Sequence, residues 1–248
     1  MRLLFLILAL LLVEPASLDA VATAVRELPL AGPVAERDAE ISGMAWRGDE
    51  LLLLPQYPDW RTPGGAGVLF ALPRAALTRA VDGDQTPLTP REISVSMAEV
   101  RASVPGFRGF EAIVFIGPDQ AVLAVEASDA GRTRAWLVAA RMDNSGQALR
   151  ILAHTLVEAP LPVQLPNMGV EALVWDGSRL AAFFEANGRN VNPAPTVGYY
   201  DAELHFLGTR PAPALEYRLT AATPPDAEGF FWAVNYFWPG ERALLRPP

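Results

Sequence analysis

The chain has 248 residues, 51% of them hydrophobic and 19% charged, with a formal net charge of −8 and an isoelectric point near 4.9. All 20 basic residues are Arg and there is no Cys, which excludes Schiff-base lysines, P-loop lysines, thiol catalysis, disulfides and Cys-ligated zinc, and disfavours a basic stripe for nucleic acid. Carboxylates, amides, hydroxyls and two imidazoles, His154 and His205, remain, so any metal site should be rich in oxygen.

Residues 1–24 have the form of a secretory signal peptide: Arg2, an unbroken apolar run from Leu3 to Val13, then small residues at Ala20, Ala22 and Ala24. The apolar run is short for a bilayer span, which needs about 20 residues. The expected product is a periplasmic or secreted chain with no membrane insertion after cleavage, an uncleaved N-terminal anchor being the alternative. Residues 25–248 then form a single domain.

Four hairpins recur along that domain. They open at Ser42, Glu111, Glu171 and Thr220, turn through Gly, Asp and Pro chemistry, and close with second strands ending at Gln56, Glu126, Glu185 and Asn235. Third strands are predicted at 68–72, 135–140 and 197–201, and fourth strands at 92–95, 152–157 and 215–219. No long amphipathic helix intervenes. Repeated four-stranded antiparallel units predict an all-β fold, a β-propeller of about four blades with the last one incomplete. The segment Arg26–Leu30 resembles the fourth strands and is expected to close the ring as the outer strand of the last blade. The ring is either completed irregularly or the chain is truncated. A β-sandwich built from the same hairpins is the alternative.

In a propeller the start of each first strand and the end of each second strand lie at one mouth of the central channel. All eight residues there, Ser42, Glu111, Glu171, Thr220, Gln56, Glu126, Glu185 and Asn235, carry side-chain oxygen. Carboxylates converging without Lys would repel one another, and either protonation or a cation would relieve this. Ca²⁺ takes six to eight oxygen ligands, so Glu111, Glu126, Glu171, Glu185, Gln56 and Asn235 form a ligand pool. Solvated second-strand ends are the plainer reading. Loops beside the same mouth offer Arg132 and Arg189 for an anionic group and Tyr57 and Trp60 for a ring or sugar. His154 and His205 fall outside the columns and are expected at edges or the surface.

A Ser-Gly or Glu-Ala pair, an apolar run, a Gly/Asp turn and a second apolar strand resemble the blade openings of calcium-dependent propellers of the phytase-like, SdiA-regulated and strictosidine synthase-like kind. The resemblance covers the hairpins, about a third of the mature chain. It implies an exported propeller with an acidic, Ca²⁺-occupied face that in some members hydrolyses phosphoesters or lactones. Glu111 and Glu171 match the acidic opening residue and would take the catalytic role in such a hydrolase, Ser42 keeps the Ser-Gly form, and Thr220 departs from it. Three functions follow: a metal-assisted ester or phosphoester hydrolase, a non-catalytic propeller binding a small molecule, and a protein-binding scaffold of the bacterial envelope.

Overall fold

The computed structural model describes residues 26–245. Among the described residues fifteen strands make three sheets. The first strands are β1 (Ile41–Arg47), β2 (Glu50–Pro55), β3 (Gly67–Pro73) and β4 (Arg91–Val95), an antiparallel meander. The second meander has β5 (Phe107–Phe115), β6 (Gln120–Asp129) and β7 (Arg132–Met142), with β8 (Ala148–Ile151) and β9 (Val157–Ala159) both on the free edge of β7. A short parallel pairing of β4 with β8 merges these two units into one sheet. The third unit is β10 (Val170–Trp175), β11 (Leu180–Phe184), β12 (Thr196–Tyr200) and β13 (Phe206–Pro211), and the fourth has only β14 (Arg218–Ala222) and β15 (Ala233–Tyr236). Helices α1 (Arg74–Val81) and α2 (Ala98–Ser103) flank β4, and α3 (Arg242–Leu245) ends the described chain. Among the described residues no helix is long and apolar enough to cross a membrane.

Local chemistry explains the hairpins. Gly48 and Gly177 take φ of +54° and +93° in the turns that open the first and third units, a region costly for a side chain. In the second of these turns Asp176 Oδ1 accepts hydrogen bonds from the backbone N–H of Ser178 and Arg179.

The first strands lie side by side in the order β1, β5, β10, β14, and cores fill the spaces between successive units. Strand β6 reads as continuous apolar sequence because both faces are covered. Ala121, Leu123 and Val125 point into the core shared with the first unit, and Val122 and Ala124 into the core shared with the third. Antiparallel four-stranded sheets packed face to face around their first strands are the blades of a β-propeller.

Three expected strands need correction. Residues 152–157 do not form a fourth strand: a 3-10 turn, Ala153–Thr155, separates β8 from β9. Thr155 Oγ1 accepts from the Ala139 N–H and donates to Leu152 O, so a side chain takes the place of a ladder partner. In the third blade the fourth strand is β13, whereas part of 215–219 belongs to β14 and opens the next unit. Gly208, at φ +111°, sits in the bulged stretch where β13 pairs with Tyr199 and Tyr200, so a strand carries turn-like residues. The segment Arg26–Leu30 does not close the last blade. Leu30 bridges Leu88, and Arg26 Nη1 donates to Val81 O, placing it on the outside of the first blade.

Candidate functional site

The four opening residues share one backbone device. In every blade the ladder between first and second strand slips at the opening residue: between Ile41 and Gly43, Phe110 and Ala112, Val170 and Ala172, and Leu219 and Ala221. Ser42, Glu111, Glu171 and Thr220 are therefore each the extra residue of a β-bulge, unpaired in the ladder and re-aimed away from the regular pleat. Ser42 uses this freedom to donate its hydroxyl to Phe110 O at 2.6 Å, tying the first blade to the second.

A second repeat lies two residues before each bulge, at Glu40, Gly109, Gly169 and Arg218. Across these positions the second-strand end of one blade reaches into the next. Gln56 passes over Gly109, where a Cβ would come within 2.5 Å of its Cγ, and donates Nε2–H to Glu111 Oε1 at 3.1 Å. Glu126 passes over Gly169, whose Cβ would stand 3.1 Å from Glu126 Oε2. Glu185 meets Arg218 instead, with Nη1 to Oε1 at 2.6 Å. The backbone repeats the handover: Gln56 O accepts from Phe110 N–H and Glu185 O from Leu219 N–H, each at 2.9 Å. Gly109 also holds φ +131°, so Gly109→Ala should cost about 1–3 kcal/mol and break the Gln56–Glu111 contact, measurable as a lower Tm.

These crossings gather Glu111, Glu126, Glu171 and Glu185 within electrostatic reach of one another and of Arg218. Burial pushes Glu111 up to about 8, with Glu126 and Glu185 adding to the rise and Gln56 and Arg218 opposing it. Burial raises Glu185 to about 9, helped by Glu171. Glu126 rises to about 6 through burial, tempered by Arg108 and Arg218. Burial and the charge of Glu111 lift Glu171 well above the carboxylate range, although part of its surface opens to solvent. Arg218 is the cation in contact with the group, and it also forks onto Glu241 through Nε and Nη2. Among the described residues no N–H donates to the Glu185 carboxylate with good geometry; the Glu171 carboxyl lies within hydrogen-bond reach of it, and the Arg218 approach at 2.6 Å is an ion pair in distance only.

A cleft of about 600 Å³ between β1 and the β14–β15 pair leads to this group. Its floor is Ser42, Gln56, Glu171, Arg218 and Thr220, and Ile41, Met44, Val234 and Tyr236 form apolar walls.

The remaining sequence candidates lie elsewhere. Asn235 is out of phase by one: Arg218 pairs with Tyr236, as Gly109 pairs with Glu126, so Tyr236 holds the place equivalent to Glu126. Asn235 donates Nδ2–H to Glu216 O at 2.7 Å and stays outside the cluster. Trp60 packs its ring on Phe70 and donates Nε1–H to Glu36, beneath its own loop. Tyr57 lines a separate hollow with Trp60, Asp59 and Arg101, although Glu40, Glu111 and Glu126 still bear on its hydroxyl, whose pKa is raised chiefly by burial. Arg132 lines an outer hollow of the second blade with Asp129 and Glu158. Arg189 is exposed, its backbone N–H directed at Glu216.

Arg218 is the functional residue that the strand-end columns miss. Its signal is the position two before the bulge, where a lone Arg follows Glu and two Gly. The imidazoles behave as surface groups. Among the described residues the metal-type triad with ligand atoms within 4.8 Å of one another is Asp201, Glu203 and His205, where Asp201 accepts from the Glu203 and His205 N–H and pairs with the His205 ring, capping its own turn. The four central glutamates are not drawn together that tightly.

No protein-family model matches the chain, and no curated protein matches it in sequence. Among solved structures it is similar to the Nup133 β-propeller domain of Vanderwaltozyma polyspora, at TM-score 0.40 and 9% identity over 76% of this chain and 52% of that one. It is also similar to the extracellular domain of a putative one-component system of B. thetaiotaomicron, at TM-score 0.36 and 14% identity over 78% of this chain and 19% of that one. The chain thus spans about half the length of the first and a fifth of the second.

Proposed function

We propose that this chain is an exported, non-catalytic binding propeller whose central carboxyl cluster captures a divalent cation, calcium by donor type. The observation that carries the reading is the charge imbalance of the cluster. Among the described residues Glu111, Glu126, Glu171 and Glu185 have one cation in contact, Arg218 on Glu185, which is shared with Glu241, while Arg108 bears on Glu126 without an ion pair. Oxygen donors without His suit Ca²⁺ over zinc or copper. Glu111, Glu126, Glu171, Glu185 and the Gln56 amide oxygen would hold the ion. The carboxylates must draw closer to do so, and an ion supplies the force that their mutual repulsion opposes. Binding is favoured over ester or phosphoester hydrolysis because Arg218 is committed to Glu185 and Glu241 and is not free to clamp an anionic substrate. The apolar run and small residues at the N-terminus support export and lie outside the described residues.

Thermal unfolding at pH 8 in EDTA and then in millimolar Ca²⁺ tests the reading. At about 100 Kd the ion should add roughly 2.7 kcal/mol, a rise of about 5–10 °C in Tm for a domain of this size. Glu111→Gln and Glu171→Gln should abolish most of that rise. An unchanged Tm in Ca²⁺ would overturn the proposal.

A further inference from the structure

The fourth sheet differs from the other three in a way the central cluster does not explain. Among the described residues it has two strands where the other units have four or more, and β15 is an edge strand with every residue exposed. A lone two-stranded ribbon is marginal in water. Edge strands of soluble proteins are ordinarily blunted by Lys, other charges, Pro or bulges that turn them away. Residues 230–238 read Phe-Phe-Trp-Ala-Val-Asn-Tyr-Phe-Trp, with no charge and no Pro.

The two faces of this ribbon are not equivalent. On one, Phe231 packs against Phe183 and Ala222 joins the core under the third blade. On the other, Trp232 and Val234 line an apolar cleft of about 450 Å³ together with Met44, Trp46 and Leu51 of the first blade. The bulge at Ser42 contributes to this, since Met44 also lines the neighbouring cleft beside Ile41, Val234 and Tyr236. Trp232 is 84% exposed, Phe230 73% and Met44 57%. Taking 150–250 Å² per aromatic ring and leaving out Phe231 and Phe237, which belong to the other face, the exposed parts of Trp46, Phe230, Trp232, Tyr236 and Trp238 amount to roughly 600 Å². The largest apolar patch of an ordinary monomer is about 300–600 Å². With Met44, Val234 and the β15 backbone the surface comes to about 800 Å², the contribution of each partner to a stable interface.

We propose that this face is covered by a second copy of the chain. The β15 strands pair antiparallel across a two-fold axis, and two two-stranded ribbons become one four-stranded sheet, the strand number of the first and third blades. Trp232 and Phe230 of each copy bury against the apolar cleft wall of the other. Each copy carries a net charge of −8 while the patch has one charge at its rim, Arg74 stacked on Trp46, so the association tightens with added salt as long-range repulsion is screened.

Sedimentation equilibrium of the chain, begun at Arg26 and also full-length, tests this. The expected result is a dimer in both forms, with a Kd that falls from low to moderate salt. Trp232→Glu should raise that Kd roughly tenfold or more, with a Tm unchanged at concentrations where both chains are monomeric, because an exposed side chain contributes little to the fold of one copy. Hydrogen exchange of the unaltered chain supplies a readout that needs no variant: the amides of 233–236 should gain protection as concentration rises. A monomer at all concentrations would overturn the proposal, as would a dimer indifferent to Trp232→Glu. A monomeric full-length chain beside a dimeric Arg26-start chain would also overturn it, in favour of the N-terminal segment as the occupant.

Discussion

Arg218→Gln should be the most damaging single substitution at the site, lowering stability at pH 8 by about 3–5 kcal/mol. For a domain of this size that is a fall in Tm of roughly 6–20 °C. The residue is only partly exposed, with 15% of its side chain accessible, and it contacts Glu185 through Nη1 while holding Glu241 through Nε and Nη2. Removing one member of a buried charge network leaves the others desolvated and unpaired, and that penalty exceeds the net value of the pair itself. It also leaves the Glu111–Glu126–Glu171–Glu185 group without its contacting cation. The penalty should therefore grow with pH, as Glu126 ionises near 6, Glu111 near 8 and Glu185 near 9. Arg218→Lys should rescue only in part, because an ammonium cannot fork onto Glu241 while reaching Glu185. Urea unfolding at pH 5, 7 and 9 measures this. A loss independent of pH would mean that Arg218 acts by packing its stem and not by its charge.

The periodic part of this site is legible in sequence because it is built by a periodic device. A polar residue at the start of each apolar first strand makes sense once that residue is a bulge, excluded from the ladder and from the core beside it. Glu111 and Glu171 fall in that column, and Glu126 and Glu185 in the one facing it. The columns fail at the fourth blade. The connection from β14 to β15 is long, so hairpin length no longer fixes register, and the phase slips by one from Tyr236 to Asn235. Arg218 is hidden for a related reason: its position is defined by the neighbouring blade's strand end crossing over it, and that crossing is a tertiary fact. In the other blades Gly109 and Gly169 mark the same position through the space they leave, a signal that turn chemistry readily imitates. Outer strands are less legible still, because they are short and tolerate substitutes such as the Thr155 hydroxyl or a Gly in mid-strand.

The ion-free protein should be most stable near pH 5 and lose stability steadily toward pH 9, the reverse of the usual rise above the carboxylate range. Glu111, Glu126, Glu171 and Glu185 all hold their protons more tightly when folded than at the ordinary value of 4.5. Below that value both states are protonated and the contribution is fully present. As pH rises the unfolded chain releases these protons first, and the contribution is lost through the folded values of about 6, 8 and 9. A tenfold difference in proton affinity between the folded and unfolded chain is worth about 1.4 kcal/mol, so Glu126 alone accounts for roughly 2 kcal/mol across this window. On the acid side the opposite sign applies to Asp59, held low against burial by Arg101 and the Gly64 N–H, and to Asp176, lowered to about 2 by its turn hydrogen bonds. Their contribution is lost only as pH falls below about 4. Glu111→Gln, which keeps an acceptor for Gln56, should therefore flatten the slope and raise Tm at pH 8 by several degrees. Calcium should act on the same limb, because each carboxylate it takes must first surrender its proton. Its stabilisation should grow between pH 6 and 9 and be accompanied by proton release in calorimetry. A stability profile flat from pH 5 to 9 would mean that water reaches these carboxyls and that the cluster holds neither protons nor an ion.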